Sequence, residues 1–260
     1  MFDRPIDLGS ARILISNDDG INAPGLRLLE KVARQLCPDV WVVAPEQEQS
    51  GASHSLTLRR PLRIRKIRPR RFAVDGTPTD CVLLAIKSIM RGKPPTLVLS
   101  GINAGGNFGE DITYSGTVAA AMEATLLEVP AVALSQHYDR NNGIKWEAAM
   151  RYAPELLRRL TAAPWPRNTL VNVNFPDVPP DRVKGIEVTR QGRRIIGDNL
   201  TERVDPRGVP YYWIGPMRDD FPNEPGTDIA AVRRGAVSVT PIFLDLTNVP
   251  ALRALGELFA

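Results

Sequence analysis

Short apolar runs alternate with segments of helical period over the first 170 residues of the chain. Ala11–Ser16 (ARILIS), Val40–Val43 (VWVV), Phe72–Val74, Thr96–Leu99, Ala131–Ser135 and Leu170–Val173 are apolar almost throughout, the pattern of strands buried on both faces. Between them, Pro24 opens a helix with Leu26, Leu29, Ala33 and Leu36 on one face. A second helix is predicted from about Asp80 to Met90 with Thr79 as its cap, an Ala-rich third from about Thr117 to Glu128, and a fourth over roughly Trp146–Leu160. This alternation predicts an α/β fold built on a doubly wound, mostly parallel sheet covered on both faces.

Residues 1–10 read as a loose extension. After Phe175 the texture changes: proline is dense at 176–180 and helical periodicity is lost. Gly185–Thr189 and Tyr211–Ile214 look like hairpin strands, Val237–Ile242 like a further strand and Ala251–Phe259 like a short terminal helix. The expected organisation is a core over 1–175 and a β-rich extension over 176–260 that returns a strand to the core sheet. Tyr211, Tyr212 and Trp213 read as hairpin packing rather than as a platform for stacked bases.

Composition adds exclusions. With 43% apolar and 24% charged residues the chain is neither a disordered tail, a collagen-like repeat nor a disulfide miniprotein. No stretch approaches the roughly 18 apolar residues of a membrane helix, and MFDRPIDLGSAR lacks the apolar segment of a secretory signal. Cys37 and Cys81 lie in apolar surroundings and read as buried thiols of a reducing compartment, so a cytoplasmic location is expected. Two histidines in the whole chain argue against a His-rich zinc site.

The net charge of +4 is local in origin. Residues 59–71, RRPLRIRKIRPRR, hold eight cations and no acid, so without them the remainder carries −4. Leu62, Ile64 and Ile67 roughly alternate with the charges, as in a half-solvated strand whose Lys and Arg block edge-to-edge pairing. The alternative is a patch that attracts polyanions.

In a doubly wound sheet, ligands sit beyond the carboxyl ends of the strands. After the first strand come Asn17, Asp18, Asp19 and Gly20; after the second, Glu46 to Ser55; after Thr96–Leu99, Ser100 to Asn107. Adjacent aspartates repel each other and resist desolvation, and a divalent cation removes both costs. Oxygen donors without cysteine suit Mg²⁺ or Mn²⁺, and the neutral oxygens of Ser50 and Asn103 on neighbouring loops could complete such a shell, which spacing alone does not prove. The competing reading is an Asx turn and a helix cap. Tyr114-Ser115-Gly116-Thr117 leads into the Ala-rich helix and presents hydroxyls and N–H groups at a positive helix end, which suits either a phosphate or a plain Ser cap. His54 reads as a general acid or as a residue that orders its loop, and His137 as structural or substrate-adjacent. There is no G-x-G-x-x-G after the first strand, no P-loop and no G-x-S-x-G, which disfavours a dinucleotide enzyme, a P-loop ATPase and an α/β-hydrolase.

Taken together, ILISNDDGINAPG, VVAPEQEQSGASHS, VDGTPTDCV, LVLSGINAGGNFGEDITYSGTVAAAMEA and AVRRGAVSVTPI resemble the survival protein SurE family of metal-dependent 5′/3′-nucleotidases, from Arg12 to about Thr247. The resemblance implies a Rossmann-like core and hydrolysis of nucleoside 5′- and 3′-monophosphates, with some activity on short polyphosphate. It implies one divalent metal ion per subunit, Mg²⁺ or Mn²⁺, held by Asp18, Asp19, Ser50 and Asn103. Asp18 and Asp19 would be catalytic beyond ligation, and Asn107, Ser115, Gly116 and Thr117 would form the phosphate pocket. It also implies a homodimer or homotetramer with exchange of C-terminal segments, for which 190–245 is the candidate, and no membrane or specific nucleic-acid partner. The chain departs from the family pattern in its N-terminal extension, in Ala124 after Glu123 and in the weight of its basic run.

Two other classes fit parts of the sequence. A non-catalytic nucleotide sensor needs the phosphate cradle but not the carboxylate pair, and a polyanion-binding protein would act through Arg59–Arg71.

Overall fold

The computed structural model describes residues 5–139, 141–194, 200–215 and 224–260. Its strands are β1 (Arg12–Ser16), β2 (Asp39–Pro45), β3 (Ile64–Arg68), β4 (Arg71–Val74), β5 (Leu97–Ala104), β6 (Ala131–Gln136), β7 (Thr169–Phe175), β8 (Ile186–Val188), β9 (Leu200–Val204), β10 (Pro210–Ile214) and β11 (Val237–Phe243). Its α-helices are α1 (Pro24–Leu36), α2 (Pro78–Leu84), α3 (Asp111–Tyr114), α4 (Gly116–Leu126), α5 (Glu147–Thr161), α6 (Asp228–Arg233) and α7 (Val249–Leu258). Nine strands form one sheet in the order β3-β4-β2-β1-β5-β6-β7-β11-β8. From β4 to β7 every neighbour is parallel; β3 on β4 and β11 on β7 are antiparallel. The chain winds outward from β1 to β2 and β4, then returns to β5 on the other side and continues to β6 and β7. The loops after β1 and β5 therefore splay apart at the centre, the switch point where such sheets bind ligands.

Each face of the sheet is covered. On one, Leu26, Leu29, Ala33 and Leu36 of α1 pack with Ala149, Ala153 and Leu157 of α5 over the alternate residues Ile13 and Ile15 of β1. On the other, α2 and α4 pack over Leu14, Val43 and Val98. The doubly wound, mostly parallel architecture expected from the alternation is the one observed. α4 is buried on nearly all sides, which its run of alanines permits by letting helix and sheet approach closely.

Several elements differ from expectation. The cap of α2 is Thr77, not Thr79: Thr77 Oγ1 accepts from the Asp80 N–H at 3.1 Å while the Asp80 carboxylate accepts from the Thr77 N–H at 2.9 Å. Pro78 then occupies the first turn, Thr79 lies buried inside the helix, and a π-helical turn over Ala85–Ile89 follows. Asp80 also accepts from the N–H and hydroxyl of Thr57, so this capping box pins the loop that follows Ser55. Thr77→Ala is expected to cost about 1–2 kcal/mol, measured by urea denaturation. Strand β5 runs on to Ala104, because the polar residues after Leu99 still pair with β6 across a bulge.

The segment after Phe175 also departs in part. β9 and β10 form the hairpin expected around Tyr211–Ile214, but Tyr211, Tyr212 and Trp213 remain exposed on it rather than packed. β8 is not a hairpin strand; it pairs in parallel with β11 at the far edge of the main sheet. Helix α6 has no signature in the sequence pattern, since its six residues are too few to display a period. The first residues of the chain are not wholly loose: the Ile6 N–H donates to Thr161 O at 2.9 Å, and Ile6 and Leu8 pack against the core. Residues 1–4, and within the 190–245 candidate segment residues 195–199 and 216–223, lie outside the described residues.

The basic run resolves into an edge strand. β3 closes one end of the sheet and all five of its residues are exposed. Five of the eight cations are in ion pairs: Arg60 with Asp75, Arg65 with Glu46, Arg70 with Asp39, and Arg68 and Arg71 with the buried Glu30 of α1. The fold thus sets four carboxylates against the eight cations of the run, offsetting at most half of its charge. Cys37 and Cys81 are buried free thiols, and burial pushes the Cys81 thiol well above its ordinary range.

Candidate active site

Asp18, Asp19, Ser50, Asn103, Asn107 and Ser115 line one cleft of about 550 Å³ at the switch point. The segments after β1 and β2, the end of β5 with the loop that follows it, and the α3–α4 junction carry these six residues, and hydrogen bonds staple the segments together. Asn17 Nδ2 donates to Gly20 O at 3.0 Å and closes the turn after β1. The loop after β2 is tied to that turn by Gln49 N–H to Asp18 O at 2.8 Å, and to the α3–α4 junction by Ser53 Oγ to Thr113 O at 2.6 Å. The turn is closed by the Asn17 amide nitrogen rather than by an oxygen accepting as in an Asx turn, and α1 is capped at Ala23 without a side-chain bond, so the Asx-turn and helix-cap reading of Asn17-Asp18-Asp19-Gly20 fails while Asp18 and Asp19 line the cleft.

The carboxylates are held in place individually. Asp18 is buried and accepts from the Thr117 hydroxyl; burial raises its pKa, and that hydrogen bond opposes the rise. Asp19 accepts from the Ala104 N–H at 3.3 Å, and burial first, then the charges of Asp18 and Glu48, lift its pKa to about 6. Gly116 and Thr117 stand behind Asp18 rather than on the cleft wall. A Cβ on Gly116 would come within 2.7 Å of Asp18 Cβ, so only glycine lets the start of α4 approach this closely. Ser115 caps α4, its Oγ accepting from the Val118 N–H at 3.1 Å, which leaves the hydroxyl proton for a ligand in the cleft.

The donor chemistry can be tested against a cation. Asn103 Nδ2 donates to Gly105 O at 2.9 Å, so the amide nitrogen is engaged and the oxygen is the end available as a ligand. Ser50 Oγ donates to Glu48 at 2.8 Å and keeps its lone pairs. Two desolvated carboxylates, a hydroxyl and an amide oxygen are all hard donors. Among the described residues no three His, Cys, Asp or Glu converge as a ligand cluster. The set therefore fits a hard divalent ion that keeps positions for substrate and water, not a nitrogen or sulfur site.

Other residues of the site have no signal in the sequence pattern. Among the described residues, Arg194 is the only lysine or arginine lining the cleft; it pairs with Asp111 and lies 5.9 Å over the Phe108 ring. It arrives from the segment after β8, held there by the buried Asp228, which accepts from Gly109 N–H at 3.0 Å and Gly192 N–H at 2.9 Å. No local pattern could place a residue from so far along the chain. Asn172 and Asn174 lie in a run that the apolar criterion cuts at Val173; amides inside a central strand are the one clue to them. His137 and Tyr138 line the cleft. His54 does not: its Nε2 meets Glu123 of α4 at 3.0 Å, the loop-ordering alternative of its two readings.

The fold and cleft thus define a class: a doubly wound α/β protein with an oxygen-rich cleft where the sheet order reverses. Comparison with known proteins narrows it. Residues 13–198 match the family model described as Survival protein SurE. The chain is 60% identical over 253 residues to the 5′-nucleotidase SurE of Paramagnetospirillum magneticum, with 97% of each chain covered, and 55% identical over 262 residues to that of Rhodospirillum rubrum, with 100% of each covered. The crystal structure of the SurE protein from Aquifex aeolicus superposes with a TM-score of 0.84 at 42% identity, covering 96% of this chain and all of that one. The chain belongs to the SurE family.

Proposed function

We propose that this protein is a 5′-nucleotidase that hydrolyses nucleoside 5′-monophosphates to nucleoside and phosphate. Its relatives of 50–60% identity over nearly their full length carry that name. One observation carries the reading at the level of chemistry: the buried Asp18, next to the desolvated Asp19, abuts the capped start of α4, so a phosphate at Ser115 lies beside the acid pair in one cleft. Such crowding of negative charge is tolerable only if a cation stands between.

The proposed metal donors are Asp18, Asp19, Ser50 and Asn103. A bound Mg²⁺ or Mn²⁺ supplies Lewis-acid activation of the phosphate ester and of water. The chain's own residues do the rest. Thr117 and Ala104 fix the two carboxylates through hydrogen bonds. Ser115 offers its hydroxyl proton to a phosphate oxygen, a bond that strengthens as charge shifts in the transition state, while the Asn107 amide N–H binds the phosphate alike in ground and transition state. The same chemistry extends to 3′-nucleotides and to short polyphosphate. The test is phosphate release from a panel of 5′- and 3′-nucleotides with each metal and with chelator. Release from 5′-monophosphates that is lost on chelation is expected; release undiminished by chelator would refute the metal assignment.

Residues 1–175 are proposed to carry the site and 176–260 to support assembly, with Arg194 reaching back into the cleft. Exposed apolar residues on the hairpin (Tyr212, Trp213, Ile214) and on α7 (Leu252, Leu255, Leu258) support a homodimer or homotetramer with C-terminal exchange. No helix among the described residues is long and apolar enough to cross a membrane. The paired state of the basic run argues against a polyanion-binding role. Changing Arg59, Arg63 and Lys66 together to Gln is expected to leave kcat/KM for a nucleotide within about twofold at 150 mM salt, where exposed charges are largely screened; a tenfold loss would mean that the run takes part in nucleotide turnover.

A further inference from the structure

Asn172 and Asn174 are wholly buried on β7, an interior strand between β6 and β11, where an amide without partners is costly. Their polar atoms converge on one residue of the neighbouring loop. Asn174 Oδ1 accepts from the Asn107 N–H at 2.8 Å, while Asn174 Nδ2 and Asn172 Nδ2 both donate to the Asn107 carbonyl, at 3.1 and 2.9 Å. The Asn107 side chain is held as well: its Nδ2 donates to Ser135 Oγ on β6 at 2.7 Å. Asn103, Ser135, Asn174 and Ser238 stand in one register row across β5, β6, β7 and β11. This polar row runs from a proposed metal donor to a strand of the C-terminal segment.

None of Ser135, Asn172 and Asn174 lines the cleft, so none meets a ligand directly. Asn107 does line it, and an amide on a glycine-flanked loop has no intrinsic reason to hold one rotamer. Three bonds fix its main chain, and a fourth takes one of the two Nδ2 hydrogens, leaving the second hydrogen of the same nitrogen to donate to a phosphate oxygen. The anchors sit on strands, which hold position more tightly than loops do. We propose that Ser135 and Asn174, with Asn172 beside them, are positioning residues that aim the Asn107 amide at the substrate phosphate. This rests on the reading of Asn107 as a phosphate contact.

The test uses the full-length enzyme with Mn²⁺. Ser135→Ala is expected to raise both KM for a nucleoside 5′-monophosphate and the inhibition constant of inorganic phosphate by about tenfold, the loss of one hydrogen bond's worth of orientation. kcat should change by less than about threefold, and Mn²⁺ affinity by direct titration should not change, since uniform phosphate binding alone is weakened. In an Asn107→Ala background Ser135→Ala should have no further effect, because it acts through a side chain already removed. A lowered melting temperature with KM and phosphate inhibition unchanged would overturn the proposal, as would additive effects in the double variant. If Asn107→Ala itself leaves phosphate inhibition unchanged, the phosphate-pocket reading fails and the proposal with it. If Asn107→Ala weakens phosphate while Ser135→Ala and Asn174→Ala do not, the positioning role alone is overturned.

Discussion

Asp18→Asn is expected to lower phosphate release from a nucleoside 5′-monophosphate by about 10³-fold or more, with the fold intact. The side chain is buried, accepts from the Thr117 hydroxyl, and lies against the helix start where the phosphate is proposed to sit. An amide of the same shape keeps an acceptor for Thr117 but removes the charge that a divalent ion needs. Losing Lewis-acid stabilisation worth roughly 4 kcal/mol corresponds to ~10³ in rate. Circular dichroism should match the wild type and the variant should still melt cooperatively while the phosphate assay collapses. A variant that retains activity within tenfold would mean that Asp18 is not a metal donor, and a nucleotide sensor that never turned over would show no difference at all.

The second large effect is on stability, and its sign is opposite to that of most charge removals. Folding lifts the Asp19 pKa from 3.8 to about 6, so between those values the folded chain holds a proton that the unfolded chain has released. Stability in chelator must therefore fall as pH rises through that window, and Asp19 costs the fold most above pH 6. Burial is the first cause and the neighbouring Asp18 charge the second, so neutralising Asp19 relieves both. Asp19→Asn should melt higher than the wild type at pH 7.5 in EDTA, with the gap closing below about pH 4. Mn²⁺ should raise the wild-type melting temperature at pH 7.5 and have little effect on the variant, because binding to the folded state alone stabilises by mass action. A wild type that melts higher than Asp19→Asn in EDTA at pH 7.5 would remove the physical reason for a cation at this site.

Much of this architecture is written locally. Six apolar strands and four helices of the first 170 residues are visible in the period of the sequence, because strands buried between two helical layers have no polar face to show. The oxygen-rich turns are visible too, since Asn17-Asp18-Asp19-Gly20 and Ser115-Gly116-Thr117 break apolar runs at strand ends and helix starts. Local rules misassign the cap of α2 by two residues, because Thr77 and Thr79 both fit a cap and only the reciprocal bonds with Asp80 select Thr77. They end β5 and β7 early, because Asn and Gly read as breakers until a neighbouring strand supplies their partners.

The sequence by itself determined the winding of the sheet, the acid pair and the hydroxyl-bearing helix start, all of which depend on residues close together in the chain. Only the tertiary structure decided what those residues meet. It brought Arg194 across more than eighty positions to Asp111, turned Asn172 and Asn174 from interruptions of a strand into anchors of Asn107, and paired five of the eight cations of the basic run with Glu30, Asp39, Glu46 and Asp75. The physical reason is the same in each case. Hydrogen bonds and ion pairs act over a few ångströms in space whatever the separation along the chain, and periodicity records only neighbours within a few residues.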